Sequence, residues 1–230
     1  MKKLLQIAID GPVSAGKSDI ASGLAKELHI VYIYTGAMYR AFARICLDEN
    51  ITSESSPKIK KILQQFSVKL TPHEKNSKYP VNVLVHDKDI TNKIFTPEVD
   101  RFVPRISTIK EVREHMVRLQ KKISEGNSVV MEGRDIGKRV LPNAQLKIYL
   151  TASLQERAKR HYKQWVLKGI VDKTLDEAEK EVLERDRKDM SRLIDPLEKS
   201  TDAWELDTTN MSQPEVINTI LGELQKRKLL

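Results

Sequence analysis

Gly11-Pro12-Val13-Ser14-Ala15-Gly16-Lys17-Ser18 fits G-x-x-x-x-G-K-[ST], the P-loop pattern, at every fixed position. Its flanks agree with it. Leu4-Leu5-Gln6-Ile7-Ala8-Ile9 is an apolar run of strand length; beyond the loop, Ile20, Leu24 and Leu28 recur at helical spacing with Ala21 and Ala25 beside them. Strand, glycine turn and helix in this order predict a cradle for nucleotide phosphates. Gly11 and Gly16 let the backbone approach closely, so that N–H groups point at phosphate oxygens. The helix beginning near Lys17 adds its positive end. Lys17 is expected to reach the β and γ phosphates, and the Ser18 hydroxyl to hold Mg²⁺. Gly11, Pro12, Val13, Ser14, Ala15, Gly16, Lys17 and Ser18 are therefore the candidate ATP-binding residues.

Outward from the loop the chain alternates strands and helices. Ile30–Tyr34 reads as a strand, followed by Thr35-Gly36 and a helix through Ile45 that carries Arg40 near its start. A cation there opposes the helix dipole, so Arg40 is expected to have a partner. Ser56-Pro57 reads as a helix start, with the helix running to about Phe66. Ser67 to Pro104 breaks the pattern. Val68-Lys69-Leu70 and Val81–Val85 are short strands around a polar stretch, Thr71 to Pro80, which predicts a small antiparallel sheet inserted at 67–104. Thr108-Ile109-Lys110-Glu111 reads as a capping box opening an amphipathic helix through Ile123, stopped by Gly126-Asn127.

Ser128–Glu132 is a buried strand with Gly133-Arg134-Asp135-Ile136-Gly137 at its carboxyl end. Ligands in open α/β sheets bind there, so the P-loop, Thr35-Gly36 and Gly133-Arg134-Asp135 are expected to share one crevice. Leu146–Leu150 is the next strand. Ser153 and Glu156 form a second capping box, and the helix they open carries Arg157, Lys159, Arg160 and Lys163 before Gly169; this set suits a mobile phosphate clamp, a lid over 157–170. Thr174 with Glu177 caps another helix, ending in Arg185-Asp186-Arg187-Lys188-Asp189-Met190-Ser191-Arg192, a mixed-charge run that reads as a solvated face with internal pairs. Ala203–Thr209 is the last strand, and Ser212 with Glu215 caps the last helix. Five core strands in β-α register predict a parallel, doubly wound sheet with helices on both faces, in a single P-loop domain over 1–230.

Composition limits the alternatives. The chain has 230 residues, 40% of them hydrophobic, enough for one substantial core. The formal charge of +8 fits handling of small anions as well as nucleic acid, but only 5% of residues are aromatic, which speaks against a single-strand stacking platform. One cysteine, Cys46, excludes an intrachain disulfide; set among apolar neighbours, it reads as a buried thiol. Met1–Leu5 briefly imitates a signal peptide, but Gln6 and Asp10 interrupt the apolar stretch, and no apolar run approaches the ~18 residues of a membrane span. A cytoplasmic protein and a monomer are expected, without a membrane or nucleic-acid partner.

Taken in order, these motifs resemble the bacterial-type cytidylate kinases of the P-loop nucleoside monophosphate kinase family. The resemblance rests on Ile9-Asp10-Gly11-Pro12, Thr35-Gly36-Ala37-Met38-Tyr39-Arg40, Gly133-Arg134-Asp135-Ile136-Gly137, Arg185-Asp186 with Asp189 and Arg192, Asp195-Pro196-Leu197, Leu206-Asp207-Thr208-Thr209 and the insert at 67–104, which would be its NMP-binding subdomain. It implies transfer of a phosphoryl group from ATP, with Mg²⁺, to CMP and dCMP. By the same resemblance Thr35, Arg40 and Arg134 bind the CMP phosphate, Arg113 and Asp135 face the cytosine, and Asp189 meets the ribose hydroxyls. Arg185 and Arg192 meet the phosphates, and Arg157 and Arg160 are lid arginines on the ATP side. The catalytic set is then Lys17, Arg134, Arg157, Arg160, Arg185 and Arg192. Pro104 stands where the family often has a serine touching the base; Phe95 replaces a common arginine and Lys110 a common proline, both read as peripheral.

A phosphate-monoester acceptor is largely dianionic at neutral pH, its second pKa being about 6, so no general base is required. The sequence places no obvious His or Cys near the crevice motifs, in agreement. A GTPase switch would need Asp-x-x-Gly, which is absent, and Asn92-Lys93-Ile94-Phe95 lacks the acid that reads guanine. Another P-loop nucleotide-dependent kinase or a nucleic-acid-dependent ATPase is the alternative.

Overall fold

The structure, a computed structural model, describes residues 4–51, 57–72, 79–167 and 169–230. Met1 to Lys3, the capping residue expected at Ser56, most of the polar stretch 71–80 and Lys168 of the expected lid lie outside the described residues. Two compact units divide the chain: residues 1–31 with 127–230, and residues 32–126.

The first unit is built on parallel strands β1 (Gln6–Asp10), β6 (Val129–Gly133), β7 (Leu146–Thr151) and β8 (Trp204–Asp207). With β2 (Val31–Tyr34), which begins at the boundary, the sheet order is β2-β6-β1-β7-β8. Register pairs Ile9 with Glu132 and with Ile148, and Leu150 with Leu206, all in parallel. Ile7, Ala8 and Ile9 are consecutive and all fully buried, as are Val129, Val130 and Met131. A strand buried at every residue is covered on both faces, as a parallel α/β sheet requires. The covering helices are α1 (Lys17–Leu28), α7 (Leu154–Leu167), α8 (Leu175–Met190) and α9 (Gln213–Lys226). Gly23 of α1 leaves the room that Ile217 of α9 fills; a Cβ there would meet its Cδ1 at 2.5 Å.

The capping boxes predicted at Thr174–Glu177 and Ser212–Glu215 are both formed. At Ser153, the Oγ accepts from the Glu156 N–H at 3.2 Å, while the Glu156 carboxylate turns to Arg160. Gly169 follows the last turn of α7 at φ 78°, with its N–H on the Val166 carbonyl.

The second unit packs α2 (Thr35–Asp48), α3 (Pro57–Gln65), α4 (Thr91–Ile94), α5 (Pro97–Ile106) and α6 (Lys110–Ser124) with a three-stranded antiparallel sheet, β3 (Val68–Pro72), β4 (Val81–Val85) and β5 (Lys88–Asp89). The sheet therefore fills only part of the stretch read as a sheet insert; 91–94 and 97–106 are helical. Thr96 caps α5 by accepting from Val99 N–H, Pro97 starts it, and Glu98 and Asp100 occupy its first turn. The capping box expected at Thr108 does not form. Its hydroxyl donates instead to the Arg105 carbonyl at the end of α5, and Ile109 takes the cap position without a side-chain bond. Phe42, Met38, Ile94, Ile106 and Met116 are among the large side chains of this core, and Cys46 is buried in the same cluster; burial pushes its thiol up to about 12.

Candidate active site

The P-loop is shaped by backbone that L side chains resist. Gly11 has φ 151° and lies so close to β7 that a Cβ would meet the Leu150 carbonyl oxygen at 2.0 Å. Gly16 caps α1 in the left-handed region at φ 90° and, having no side chain, makes no capping bond to the first N–H groups of the helix. Those donors and the helix dipole point into the loop, as anion binding needs. Ser14 is also left-handed, at φ 58°.

Lys17 is buried and donates to the Pro12 carbonyl at 2.6 Å. Burial, reinforced by the nearby Arg134 charge, brings its ammonium down to about 7, although Glu132, Asp189 and Asp10 pull the other way. Ser18 Oγ donates to Glu132 Oε1 at 3.0 Å. Glu132, at the end of β6, is buried, and burial holds its carboxyl above the usual range against the attraction of Lys17 and Arg134. Asp10, at the end of β1, accepts from Ile136 N–H and Gly137 N–H, both at 2.8 Å. It thereby fastens the turn after Gly133-Arg134-Asp135, a π-helical turn over Ile136–Val140, to the strand that enters the P-loop. Burial raises the Asp10 carboxyl to about 6 in spite of those two bonds.

Helices α7 and α8 bring their charges to the same loop. Arg157 is buried and donates to three groups: the Asp186 carboxylate, the Val13 carbonyl at 3.2 Å and the Ala152 carbonyl at 3.1 Å. Asp186 in turn accepts from the Val13 N–H at 3.1 Å. Arg160 donates to the Ala15 carbonyl at 3.3 Å, to Thr208 Oγ1 at 3.1 Å and to the Thr208 carbonyl at 2.8 Å. The two arginines thus meet the P-loop at alternate carbonyls, whereas Lys159 and Lys163 face solvent. Asp189 is clasped between Arg134, at 2.7 Å, and Arg192. Burial opposes its ionisation, but the two guanidinium groups outweigh it and hold the carboxyl below the usual range.

Two expectations about this side change. The mixed-charge run of α8 is solvated only in part: Arg187, Lys188, Met190 and Ser191 are exposed, but Asp186 and Asp189 are buried, and of their pairs only Asp189–Arg192 lies within the run, while Asp186 pairs with Arg157 and Asp189 also with Arg134. A histidine does lie beside the loop. His161, one turn beyond Arg157, has Nδ1 3.3 Å from Ser14 Oγ and Nε2 3.2 Å from Glu181 Oε1. Asp10, Glu132, Asp186 and His161 were not singled out in the sequence as site residues. The signal for the first two was position, an acid at the carboxyl end of a core strand. For Asp186 and His161 it was helical phase: Arg157, His161 and Trp165 fall four apart and share the buried face of α7.

In the second unit Thr35 is buried at the first turn of α2. Arg40 has the partner its position called for: it donates to the Asp100 carboxylate and to the Ile94 carbonyl at 3.3 Å. Phe95 packs against Arg40 and two tyrosines. The Arg40 guanidinium lies 5.5 Å over its ring, and the ring stacks on Tyr79 at 4.9 Å and on Tyr34 at 6.3 Å. Arg113 is buried in α6 and donates to the Ser107 carbonyl at 3.4 Å. Pro104 sits inside α5, where its carbonyl accepts from Ser107 Oγ at 3.1 Å. Lys110 opens α6 with an exposed pair to Glu114.

A parallel sheet with this glycine loop, its buried lysine and two arginines on the loop carbonyls defines a P-loop nucleotide-binding protein. The cytidylate kinase family model matches residues 7–226. A cytidylate kinase of Ligilactobacillus salivarius is 43% identical over 227 residues, covering 99% of both chains, and one of Bacillus subtilis is 41% identical with the same coverage. The protein belongs to the cytidylate kinase family. Its fold is also similar to that of an uncharacterized protein from Eubacterium ventriosum, with a TM-score of 0.52 at 12% identity over 97% of this chain and 99% of that one. Among the described residues no helix is long and apolar enough to cross a membrane.

Proposed function

We propose that the protein transfers the terminal phosphoryl group of ATP to CMP and dCMP, giving the diphosphates. The observation that carries this reading is the family match over residues 7–226, joined to a P-loop whose lysine is buried. The P-loop N–H groups and the end of α1 hold the β and γ phosphates. Lys17, poised near neutrality in the free protein, becomes firmly cationic beside a bound triphosphate, because a polyanion raises the pKa of a neighbouring amine. Arg157 and Arg160, already bonded to the loop carbonyls, supply positive charge on the ATP side. Arg134, Arg185 and Arg192 neutralise charge on the phosphates. Thr35 and Arg40 hold the CMP phosphate, Arg113 and Asp135 read the cytosine, and Asp189 meets the ribose.

Ser18 Oγ and the Glu132 carboxylate, 3.0 Å apart, are hard oxygen donors of the type Mg²⁺ prefers. When bound, that ion draws charge from the phosphates. The chain's own work is positioning and electrostatics, since a monoester dianion needs no base. His161, the histidine beside the loop, has both ring nitrogens engaged by Ser14 and Glu181.

The test is ADP release in a coupled assay with ATP as donor and CMP, dCMP, UMP or a polynucleotide added in separate reactions. CMP and dCMP should give turnover and the polynucleotide none. ADP release driven by polynucleotide and not by CMP would overturn the reading in favour of a nucleic-acid-dependent ATPase.

A further inference from the structure

The contact between His161 and Ser14 joins the P-loop to a buried cluster. The His161 imidazole is buried against Trp165, with ring centroids 4.8 Å apart. Lys173 closes the far side, 3.5 Å from Glu181 Oε2 and 4.2 Å from the Trp165 centroid. The Glu181 carboxyl is held below the usual range, first by its hydrogen bond from His161, against the cost of burial. It is therefore ionised throughout the range in which imidazoles change charge.

The hydrogen-bond logic of this chain of groups has two states. An ionised carboxylate can only accept, so Nε2 of His161 carries a hydrogen and donates to Glu181. In a neutral ring Nδ1 is then bare, and the Ser14 hydroxyl donates to it. In the imidazolium Nδ1 carries a hydrogen as well and donates to Ser14 Oγ. The Ser14 hydrogen must then turn away from the ring, toward whatever acceptor the loop holds. Ser14 belongs to the loop whose N–H groups face bound phosphates, and its left-handed backbone fixes where that hydroxyl starts.

We propose that His161 is a positioning residue for the nucleotide site: its proton sets the direction in which the Ser14 hydroxyl donates, and the loop binds triphosphate more tightly when His161 is protonated. This rests on the reading of the P-loop as the ATP site. Around the ring, Glu181 on α8 is the carboxylate in contact with Nε2. Lys173 on the connecting segment and Arg185 on α8 help to keep Glu181 ionised, and the Arg157–Asp186 pair lies one turn before His161 on α7 and beyond Glu181 on α8.

The experiment measures the Kd of ATP by titration calorimetry, and KM for ATP and CMP with kcat, on the full chain from pH 5.5 to 8. ATP itself titrates in this range, so each variant is expressed as a ratio to wild type at the same pH. His161→Gln keeps two hydrogen-bonding ends but gains no proton. Its ATP Kd should exceed that of wild type by about 3- to 10-fold at the acid end, the worth of one hydrogen bond, and approach it at the alkaline end. KM for CMP and kcat should stay within about twofold. Ser14→Ala should show the same loss at acid pH, and the double variant should lose no more than either single one, because the two residues act through one bond. A ratio that does not vary with pH, or losses that multiply in the double variant, would overturn the proposal. If His161→Gln does not fold, the pH profile of Ser14→Ala carries the same test. Wild type that binds ATP but phosphorylates no CMP would refute the proposed function while leaving the ATP titrations able to judge His161.

Discussion

Asp186→Asn should separate the support of the P-loop from the chemistry it performs. In the wild type the Arg157 guanidinium and the Asp186 carboxylate are paired with side chains only 10% and 7% exposed. Asp186 also takes the Val13 N–H, and Arg157 the Val13 carbonyl, so one loop residue is held from both sides by one ion pair. The amide keeps the shape and an oxygen for Val13, but leaves the Arg157 charge buried without its counter-ion. Removing one partner of a buried pair costs about 3–5 kcal/mol, and the retained neutral hydrogen bond returns about 1 kcal/mol, for a net loss of about 2–4 kcal/mol. At about 2–4 °C per kcal/mol for a chain of 230 residues, the melting temperature should fall by roughly 4–16 °C. Circular dichroism melts at pH 7.5 measure this directly. Arg157→Met alone leaves the opposite charge buried, but the double variant Arg157→Met, Asp186→Asn removes both charges. It should be more stable than the sum of the single losses by at least about 2 kcal/mol. A melting temperature within about 2 °C of wild type for Asp186→Asn, or strictly additive losses, would refute the account of the pair as the clamp of the loop.

Lys17→Met should lose about 10²- to 10³-fold in kcat while keeping the fold, as the melting temperature and the rate will show. The same variant tests linkage. A lysine brought down from 10.5 to about 7 in the folded state binds its proton more weakly there than in the unfolded chain, so its stability contribution is present above pH 10.5 and is lost as the pH falls toward 7. Between pH 7 and 10 the melting temperature of Lys17→Met should therefore depend less on pH than that of wild type; parallel profiles would sink the assignment. Gly11→Ala, whose methyl group would lie 2.0 Å from the Leu150 carbonyl oxygen at φ 151°, should not accumulate as folded protein, and a normal melt would contradict the loop geometry. Asp135→Asn tests base selection: a carboxylate accepts from the cytosine amino group and repels the uracil carbonyl, whereas an amide can serve both. The CMP-to-UMP ratio of kcat/KM should fall by about 10- to 150-fold, and an unchanged ratio would leave Asp135 a structural role at the end of β6.

Much of the architecture can be read from local pattern. The P-loop decided the fold because three demands coincide in eight residues: glycines where backbone is crowded or left-handed, a lysine, and a strand-to-helix passage. The central strands β1 and β6 were legible as apolar runs, because a strand covered on both faces is apolar through its middle, whereas the edge strand β8 was legible by its alternation. Capping boxes at Thr174 and Ser212 were legible because both partners lie within four residues. The same signature failed at Thr108, since its hydroxyl could satisfy a carbonyl of the preceding helix instead, and that choice depends on where α5 ends. Helix α5 itself was hidden by the sheet pattern around it, although Thr96-Pro97-Glu98 announced its start.

What the sequence by itself determined is the nucleotide loop, the order of strands and helices, and the acids and bases at strand ends. Which of those charges are buried, and with whom, only the tertiary structure decided. Arg157 and Lys159 look alike in a list of cations, yet one clamps the P-loop from the buried face of α7 and the other is in water. Asp186 and Glu184 are neighbours on one helix, yet one bonds the Val13 N–H and the other pairs with a surface lysine. His161 touches Ser14 across a separation of 147 residues. Helical phase and chain crossing set such pairings, and the energy that selects them is the cost of leaving a buried charge or hydrogen-bonding group without a partner.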